Sequence, residues 1–335
     1  MGEMSLSPNS GEPQSQSAEE VVERDLIIIG AGPAGLTAGI YAGRAQVNPL
    51  ILVGPSFGGQ VAATSETENY PGFPEGIGGM ALAEQMAEHA KRFGAELLFD
   101  EVTSVDLAVY PFVVRSWGAT YRAKALIICT GASPRKLGVP GEAKFIGRGV
   151  SFCATCDGYF YRDKVVVIVG GGDSALDEGL YLTRFAKEVI IIHRRDRLRA
   201  GPILQERAMA NDKIRFVWNS VVEAVLGHKV VNGVRVRNVV TGEESEIETD
   251  GVFEYVGLTP NTQLFKDLLE LNPGGYIKTD KRQRTSVPGV YAAGDVQDPW
   301  FRQTVVAAGA GAAAAIEAER FLAERAYQDA SERDE

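Results

Sequence analysis

"DLIIIGAGPAGLTAGIYAGRAQ", residues 25–46, decides how this chain folds. Leu26 to Ile29 form a short apolar run, rich in β-branched residues, as in a parallel strand buried on both faces. Gly30-x-Gly32-x-x-Gly35 follows and opens a helix expected to reach about Ala45. Gly30 permits the tight turn, Gly32 lets backbone approach a pyrophosphate, and Gly35 lets helix and strand pack closely. The free N–H groups and partial positive charge of the helix start suit that pyrophosphate. One customary partner is missing. The next strand, "PLILVGP" (49–55), ends at Val53 and Gly54 without the Asp or Glu that would hold a ribose hydroxyl.

A second copy lies near mid-chain. "KVVVIVGGGDSALDEGLYLTRFAKEVIIIHRRDRLRA" (164–200) reads strand, turn, helix, strand, with Gly170-x-Gly172-x-x-Ala175 in the turn. Its second strand ends at His193-Arg194-Arg195, with Arg197 and Arg199 following. An acidic residue there favours NAD, whereas a cationic cluster invites the 2′-phosphate of NADP. A third element, "TSVPGVYAAGDVQD" (285–298), places Gly294-Asp295 after a short strand, where the carboxylate can accept hydrogen bonds from ribityl hydroxyls. "FRQTVVAAGAGAAAAIEAERFL" (301–322) supplies a helix from about Thr304 whose Ala and Gly content allows close approach. Two dinucleotide sites in one chain suggest a flavin on the first and a nicotinamide cofactor on the second.

Composition sets bounds. At 335 residues two domains are expected, and 45% hydrophobic content is ample for their cores. The formal charge of −10 argues against nucleic acid, whose phosphates it would repel. No apolar run reaches the roughly 18 residues a membrane span needs. The opening "MGEMSLSPNSGEPQSQSAEEVVERD" has no signal-peptide pattern, and residues 1–20 read as a disordered tail. Three cysteines do not make a disulfide-stapled secreted domain, so a reducing cytoplasm is expected.

Two of those cysteines stand in "CATCDGYF" (153–160). At i and i+3, Cys153 and Cys156 can meet in one turn, where a disulfide is sterically reachable. A redox disulfide, an inert structural pair and half of a zinc site all fit that spacing. Zinc usually wants four closed ligands, and the chain offers only Cys129 and three scattered histidines besides. No metal is expected. Cys129, ending the apolar run of "ALIICTG" (125–131), reads as a buried small hydrophobe.

Eight fragments occur together in one order: "GAGPAG" (30–35), "GGQ" (58–60), "ENYPGFP" (68–74), "CATCDG" (153–158), "GGGDSA" (170–175), "HRRDRLRA" (193–200), "GLTPNT" (257–262) and "AAGDV" (292–296). With them the chain resembles the low-molecular-weight, bacterial-type thioredoxin reductase family of class II pyridine nucleotide-disulfide oxidoreductases, over essentially its whole length beyond the tail. The resemblance implies an α/β fold of two Rossmann-like dinucleotide-binding domains, one inserted into the other. An FAD domain would take 21–133 and 263–335, and an NADPH domain carrying the CxxC disulfide would take 134–262. Their connections, "TGASPRK" (130–136) and "YVGLTPNT" (255–262), carry Gly and Pro and read as hinges. The stretch 221–257 alternates apolar and polar residues, with turns expected at Asn232-Gly233 and Thr241-Gly242. It reads as antiparallel edge strands.

The resemblance also implies roles. Electrons would pass from NADPH through FAD and Cys153–Cys156 to oxidised thioredoxin, with Cys156 facing the flavin and Cys153 attacking the partner. Asp157 would handle the proton, and it could also cap a helix. FAD would be held by Gly30, Gly32, Pro33, Ala34, Gly35, Gly59, Gln60, Asn69, Thr130, Gly131, Gly294, Asp295, Arg302 and Gln303. NADPH would be held by Gly170, Gly172, Asp173, Ser174, Ala175, His193, Arg194, Arg195 and Arg199. The insert would rotate on its hinges so that the flavin meets nicotinamide and disulfide in turn, and the family implies a homodimer. A glutaredoxin-like acceptor, a ferredoxin-driven relative and an oxygen-using dithiol relative are the alternatives.

Overall fold

The computed structural model describes residues 21–64 and 67–331, apart from the side chains of Thr155 and Cys156. The segment read as a disordered tail therefore lies outside the described residues. Strand β1 (Val21–Ile29) is the centre of a first sheet, paired in parallel with β2 (Leu50–Leu52) on one side. β3 (Glu96–Leu98) extends that side. An antiparallel hairpin of β4 (Val102–Asp106) and β5 (Phe112–Ser116) leads into β6 (Thr120–Ile128), which pairs with β1 on the other side. Alternate β1 residues enter different cores. Leu26 and Ile28 meet α1 (Pro33–Arg44), together with Val61 of the short α2 (Gly59–Ala62) and residues of α3 (Gly79–Arg92). Ile27 and Ile29 face a core with Phe112, Val114 and Phe265. Burial on both faces is what the unbroken apolar run required.

The chain then leaves this sheet through β7 (Ala132–Pro134) and a short α4 (Glu142–Phe145). A second sheet holds β8 (Val150–Ser151), β9 (Val165–Gly170), β10 (Glu188–Ile192) and β11 (Ile214–Val217). The helical turn α5 (Ala154–Asp157) carries the cysteine motif, and α6 (Asp173–Leu182) and α7 (Pro202–Met209) pack on one face. The opposite face meets a separate antiparallel sheet of β12 (Ser220–Gly227), β13 (Val231–Asn238) and β14 (Glu244–Glu248).

This part departs from the sequence reading twice. Asn232-Gly233 is not a turn but lies within β13; the reversal falls at 228–230. Gly233 pairs with Glu248, and a methyl there would lie 3.1 Å from the Ile247 carbonyl oxygen. The Thr241-Gly242 turn forms as expected, with Gly242 at φ +76. More consequentially, the end of the alternating stretch becomes β15 (Gly251–Tyr255), a parallel strand between β9 and β8. Glu254 made that segment look half-polar, yet it is 1% exposed. Burial, with the Glu142 carboxyl beside it, pushes its own carboxyl up to about 8. It is thus mostly uncharged at neutral pH, and the strand is buried on both faces.

β16 (Leu258–Pro260) then runs antiparallel to β7, so the two connections form one hydrogen-bonded ribbon. Asn261 ties its end: its Nδ2 donates to the Thr130 carbonyl at 2.8 Å, while its own carbonyl accepts from Thr130 Oγ1 at 2.7 Å. Ser133 Oγ donates to Asn261 Oδ1 at 2.8 Å. β17 (Val290–Ala292) rejoins the first sheet beside β6, and α8 (Thr304–Ser331) closes over α1. Its small residues serve that contact, because a methyl on Gly311 would sit 2.0 Å from the Ala34 carbonyl oxygen.

Candidate functional site

The first glycine turn stands at the carboxyl ends of β1, β6 and β17, where open α/β sheets place their ligands. Gly30 adopts φ +106, and a methyl on it would come within 2.4 Å of the Cys129 carbonyl oxygen. Gly35 is tighter still, 1.9 Å from a hypothetical methyl to the Gly30 oxygen. Gly35→Ala is therefore expected to push α1 off the turn. We expect a loss of about 1–3 kcal/mol and of bound flavin, read by thermal melting and flavin absorbance.

The other residues assigned to this site gather around the turn. A methyl on Gly59 would lie 3.3 Å from the Gly32 Cα, and Gly294 abuts Ala34. Gln60 Nε2 donates to the Ala132 carbonyl at 2.6 Å, beside Thr130 and Gly131. Asn69 Nδ2 donates to Gln303 Oε1 at 3.2 Å. Arg302 takes φ +49, its backbone N–H held by Asp298 Oδ2 at 3.1 Å. At the start of α1, Gly32 is extended and no side chain caps the helix. Asp295 is half-buried and pushed up to about 6 by burial and the neighbouring Asp298. These features fit FAD: free amides for a pyrophosphate and a carboxyl suited to a polyol hydroxyl.

The second turn repeats the design with a cationic rim. Gly172 is the uncapped, extended start of α6, and Ala175 is buried. Asp173 and Ser174 are both exposed, and Asp173 Oδ1 accepts the Gly201 N–H at 2.7 Å. Arg199 N donates to the Gly171 carbonyl at 2.7 Å, and a methyl on Gly172 would lie 3.9 Å from its Nη2. Arg194 and Arg195 are exposed beside it. His193 differs from these arginines. It is buried, packs on Gly171, and is held below its ordinary pKa by desolvation, so it adds no charge to the rim at neutral pH. Exposed guanidinium groups around free helix amides fit a phosphorylated dinucleotide.

Cys153 is disulfide-bonded, and Cys129 is free. The side chain of Cys156 lies outside the described residues. Cys129 is 5% exposed and its thiol is raised far above its usual range by burial, matching the small-hydrophobe reading. Cys153 Sγ stands 3.7 Å from the Ala63 carbonyl oxygen, just beyond α2. The disulfide of the second sheet's unit thus touches the first sheet's site, 90 residues away in sequence. An exposed contact between Arg207 and Glu68, at 3.7 Å, spans the same gap. Asp157 ends α5, its N–H donating to the Cys153 carbonyl at 3.2 Å. Among the described residues no group of three or more His, Cys, Asp or Glu could hold a metal ion. No described helix is long and apolar enough to cross a membrane.

Glu178 and Tyr255 were missed by the sequence reading. Both hydrogen-bond the Ala154 N–H, each at 3.0 Å, from 24 and 101 residues away. No local motif signals such a contact.

Comparison with known proteins agrees with this geometry. Residues 24–311 match the family described as pyridine nucleotide-disulphide oxidoreductase. A protein of Mycolicibacterium smegmatis named thioredoxin reductase is 51% identical over 302 residues, covering 90% of this chain and 97% of that one. A protein of Mycobacterium leprae named bifunctional thioredoxin reductase/thioredoxin is 50% identical, covering 94% of this chain and 69% of its own length. The crystal structure of Lactococcus lactis thioredoxin reductase superposes with a TM-score of 0.87 at 44% identity, covering 90% of this chain and 99% of that one. The chain belongs to the pyridine nucleotide-disulphide oxidoreductase family and, within it, to the thioredoxin reductases.

Proposed function

We propose that this chain moves two electrons from NADPH, by way of FAD, to the Cys153–Cys156 disulfide and from there to oxidised thioredoxin. One observation carries the reading: a disulfide on the unit with the cationic glycine turn reaches the Ala63 carbonyl at the end of α2, the short helix whose first residue, Gly59, packs on Gly32 of the other glycine turn. A bound flavin would supply the two-electron chemistry that links reduced nicotinamide to a disulfide. The chain's own work is to hold, orient and exchange. Free amides at the starts of α1 and α6 would hold the two pyrophosphates, and Arg194, Arg195 and Arg199 would take the 2′-phosphate. Once the pair is reduced, the Cys153 thiolate attacks the acceptor disulfide and expels one of its sulfurs. Cys156 then breaks the mixed disulfide and closes the original bond. Asp157, one residue past the pair, carries the proton between thiol states. Overall one NADPH and one proton reduce one disulfide to two thiols.

The sheet topology supports an FAD unit of 21–133 and 263–335 and an NADPH unit of 134–262, since every strand from Val150 to Tyr255 pairs outside the first sheet. The β7–β16 ribbon is the hinge on which the NADPH unit turns. The name of the Mycobacterium leprae relative, bifunctional thioredoxin reductase/thioredoxin, favours thioredoxin as acceptor. The low cysteine count suits a reducing cytoplasm, and the family resemblance carries a homodimer.

The test is anaerobic NADPH oxidation by the purified protein, with and without oxidised thioredoxin, beside NADH. Thioredoxin-dependent oxidation of NADPH supports the reading. Flavin bleaching without electron flow to thioredoxin points to a glutaredoxin-like acceptor or to oxygen. No bleaching by NADPH overturns the donor assignment and points to ferredoxin. Arg199→Ala is expected to raise the KM for NADPH roughly tenfold and to leave that for NADH nearly unchanged.

A further inference from the structure

The redox turn has a second layer of support. Ala154, the residue after Cys153, is fully buried, and its N–H is shared between Glu178 Oε2 on α6 and Tyr255 Oη on β15, at 3.0 Å each. The phenol closes the triangle, donating to the same Glu178 oxygen at 3.3 Å. Tyr255 stays protonated: burial raises its phenol far above the ordinary value, and the Glu178 carboxylate adds to this. It can therefore donate to the carboxylate throughout the working pH range. The chain has thus fixed a carboxylate one peptide unit from Cys153, with two donors holding its Oε2.

We propose that Glu178, braced by Tyr255, is a positioning residue for the redox pair: it anchors the turn at Ala154, and its negative charge disfavours the Cys153 thiolate. The inference rests on the reading of Cys153 as a redox cysteine. Reduction of the disulfide takes two electrons and two protons and leaves two thiols. Exchange then begins only when Cys153 loses its proton, because the thiolate is the nucleophile. A carboxylate held nearby makes that loss harder, since like charges at short range oppose one another. Other titratable groups face the same region. Asp157 ends the turn itself, Tyr161 in the next turn senses Asp157, and Asp177 adjoins Glu178 on α6. From the first sheet's side the direct contact to Cys153 is the uncharged Ala63 carbonyl, while Glu68 pairs with Arg207 across the same gap and both, with Arg184, act on Asp177. Glu178 is the one of these carboxylates that bonds the backbone next to Cys153 from a different element. The arrangement keeps the reduced pair mainly as thiols until an acceptor docks and a proton acceptor removes the proton.

The experiment reduces the flavin-loaded protein anaerobically with NADPH, then reacts it with iodoacetamide between pH 5 and 10. In that reaction the Cys153 sulfur forms a bond to carbon and iodide leaves. Label on the Cys153 peptide is counted by mass spectrometry. Glu178→Gln, which keeps the shape and removes the charge, is expected to move the pH midpoint down by about one unit. Alkylation below the midpoint then becomes roughly tenfold faster. Glu178→Asp, which keeps the charge, should stay near the wild-type midpoint, and Tyr255→Phe should move it by less than Glu178→Gln. A purely structural clamp would change the rate without moving the midpoint, so coincident or upward-shifted profiles overturn the proposal. If NADPH releases no alkylatable thiol at Cys153, the disulfide-reductase reading falls as well.

Discussion

Replacing Cys153 with serine is expected to lower kcat/KM for thioredoxin by about a thousandfold or more, while NADPH still bleaches the bound flavin. A serine hydroxyl is not ionised at neutral pH and cannot form the disulfide proposed to accept the electrons. The glycine turns lie elsewhere in the chain, at 30–35 and 170–175, so both cofactor sites should survive the change. The measurement is stopped-flow flavin bleaching beside steady-state NADPH oxidation with thioredoxin. Turnover within tenfold of wild type would remove Cys153 from the exchange. Loss of bleaching instead would mean that the substitution disturbs the nicotinamide site.

The second large effect concerns Glu317, which holds the returning end of the chain in place. It lies on α8 and is 5% exposed, yet three guanidinium groups converge on it. Arg284 donates from Nε at 3.0 Å and from Nη2 at 2.5 Å, and Arg320 from Nη1 at 2.7 Å. Arg282 stands at 3.8 Å, and the Tyr291 hydroxyl donates to the Glu317 backbone carbonyl at 3.0 Å. The cluster pins β17 to α8, and the Gly294-Asp295 turn follows directly from β17. Glu317→Ala is expected to cost roughly 3 kcal/mol. That is the lower end of the range for breaking a buried pair, because the arginine heads face solvent.

The pH dependence has a definite sign. Burial alone would raise the Glu317 carboxyl, but hydrogen bonds and charge from Arg284, Arg320 and Arg282 outweigh it and hold it below its ordinary value. A depressed carboxyl contributes stability above its unfolded pKa of about 4.3 and loses it as pH falls through the folded value. The melting-temperature gap between wild type and Glu317→Gln should therefore be full near pH 6 and narrow steadily as pH falls below about 4. A gap constant down to pH 3 would show that the charge of Glu317 contributes nothing.

The parts legible in the sequence were those set by neighbours a few residues apart. Gly30 to Gly35 and Gly170 to Ala175 announce their turns because positive φ and close backbone approach exclude other residues locally. Cys153 and Cys156 announce a pair by spacing, and Leu26 to Ile29 announce a doubly buried strand by composition. The same logic misled at Gly251–Tyr255. Glu254 reads as a solvent-facing position, and only its burial, mostly protonated beside Glu142, makes that strand central. Charge is assigned to a residue type, whereas protonation belongs to a site.

By itself the sequence determined two glycine turns, the cationic run after the second, a disulfide-competent pair and the order in which these occur. The tertiary structure alone decided that β7 and β16 join as one ribbon, that Cys153 reaches Ala63, and that Glu178 and Tyr255 share one amide. It also turned His193 inward while leaving Arg194 and Arg195 exposed. The division has one physical cause. Turn chemistry depends on dihedral angles that adjacent residues settle among themselves, but hydrogen bonds spanning 24 to 131 residues exist only once separate sheets have packed and set the distances.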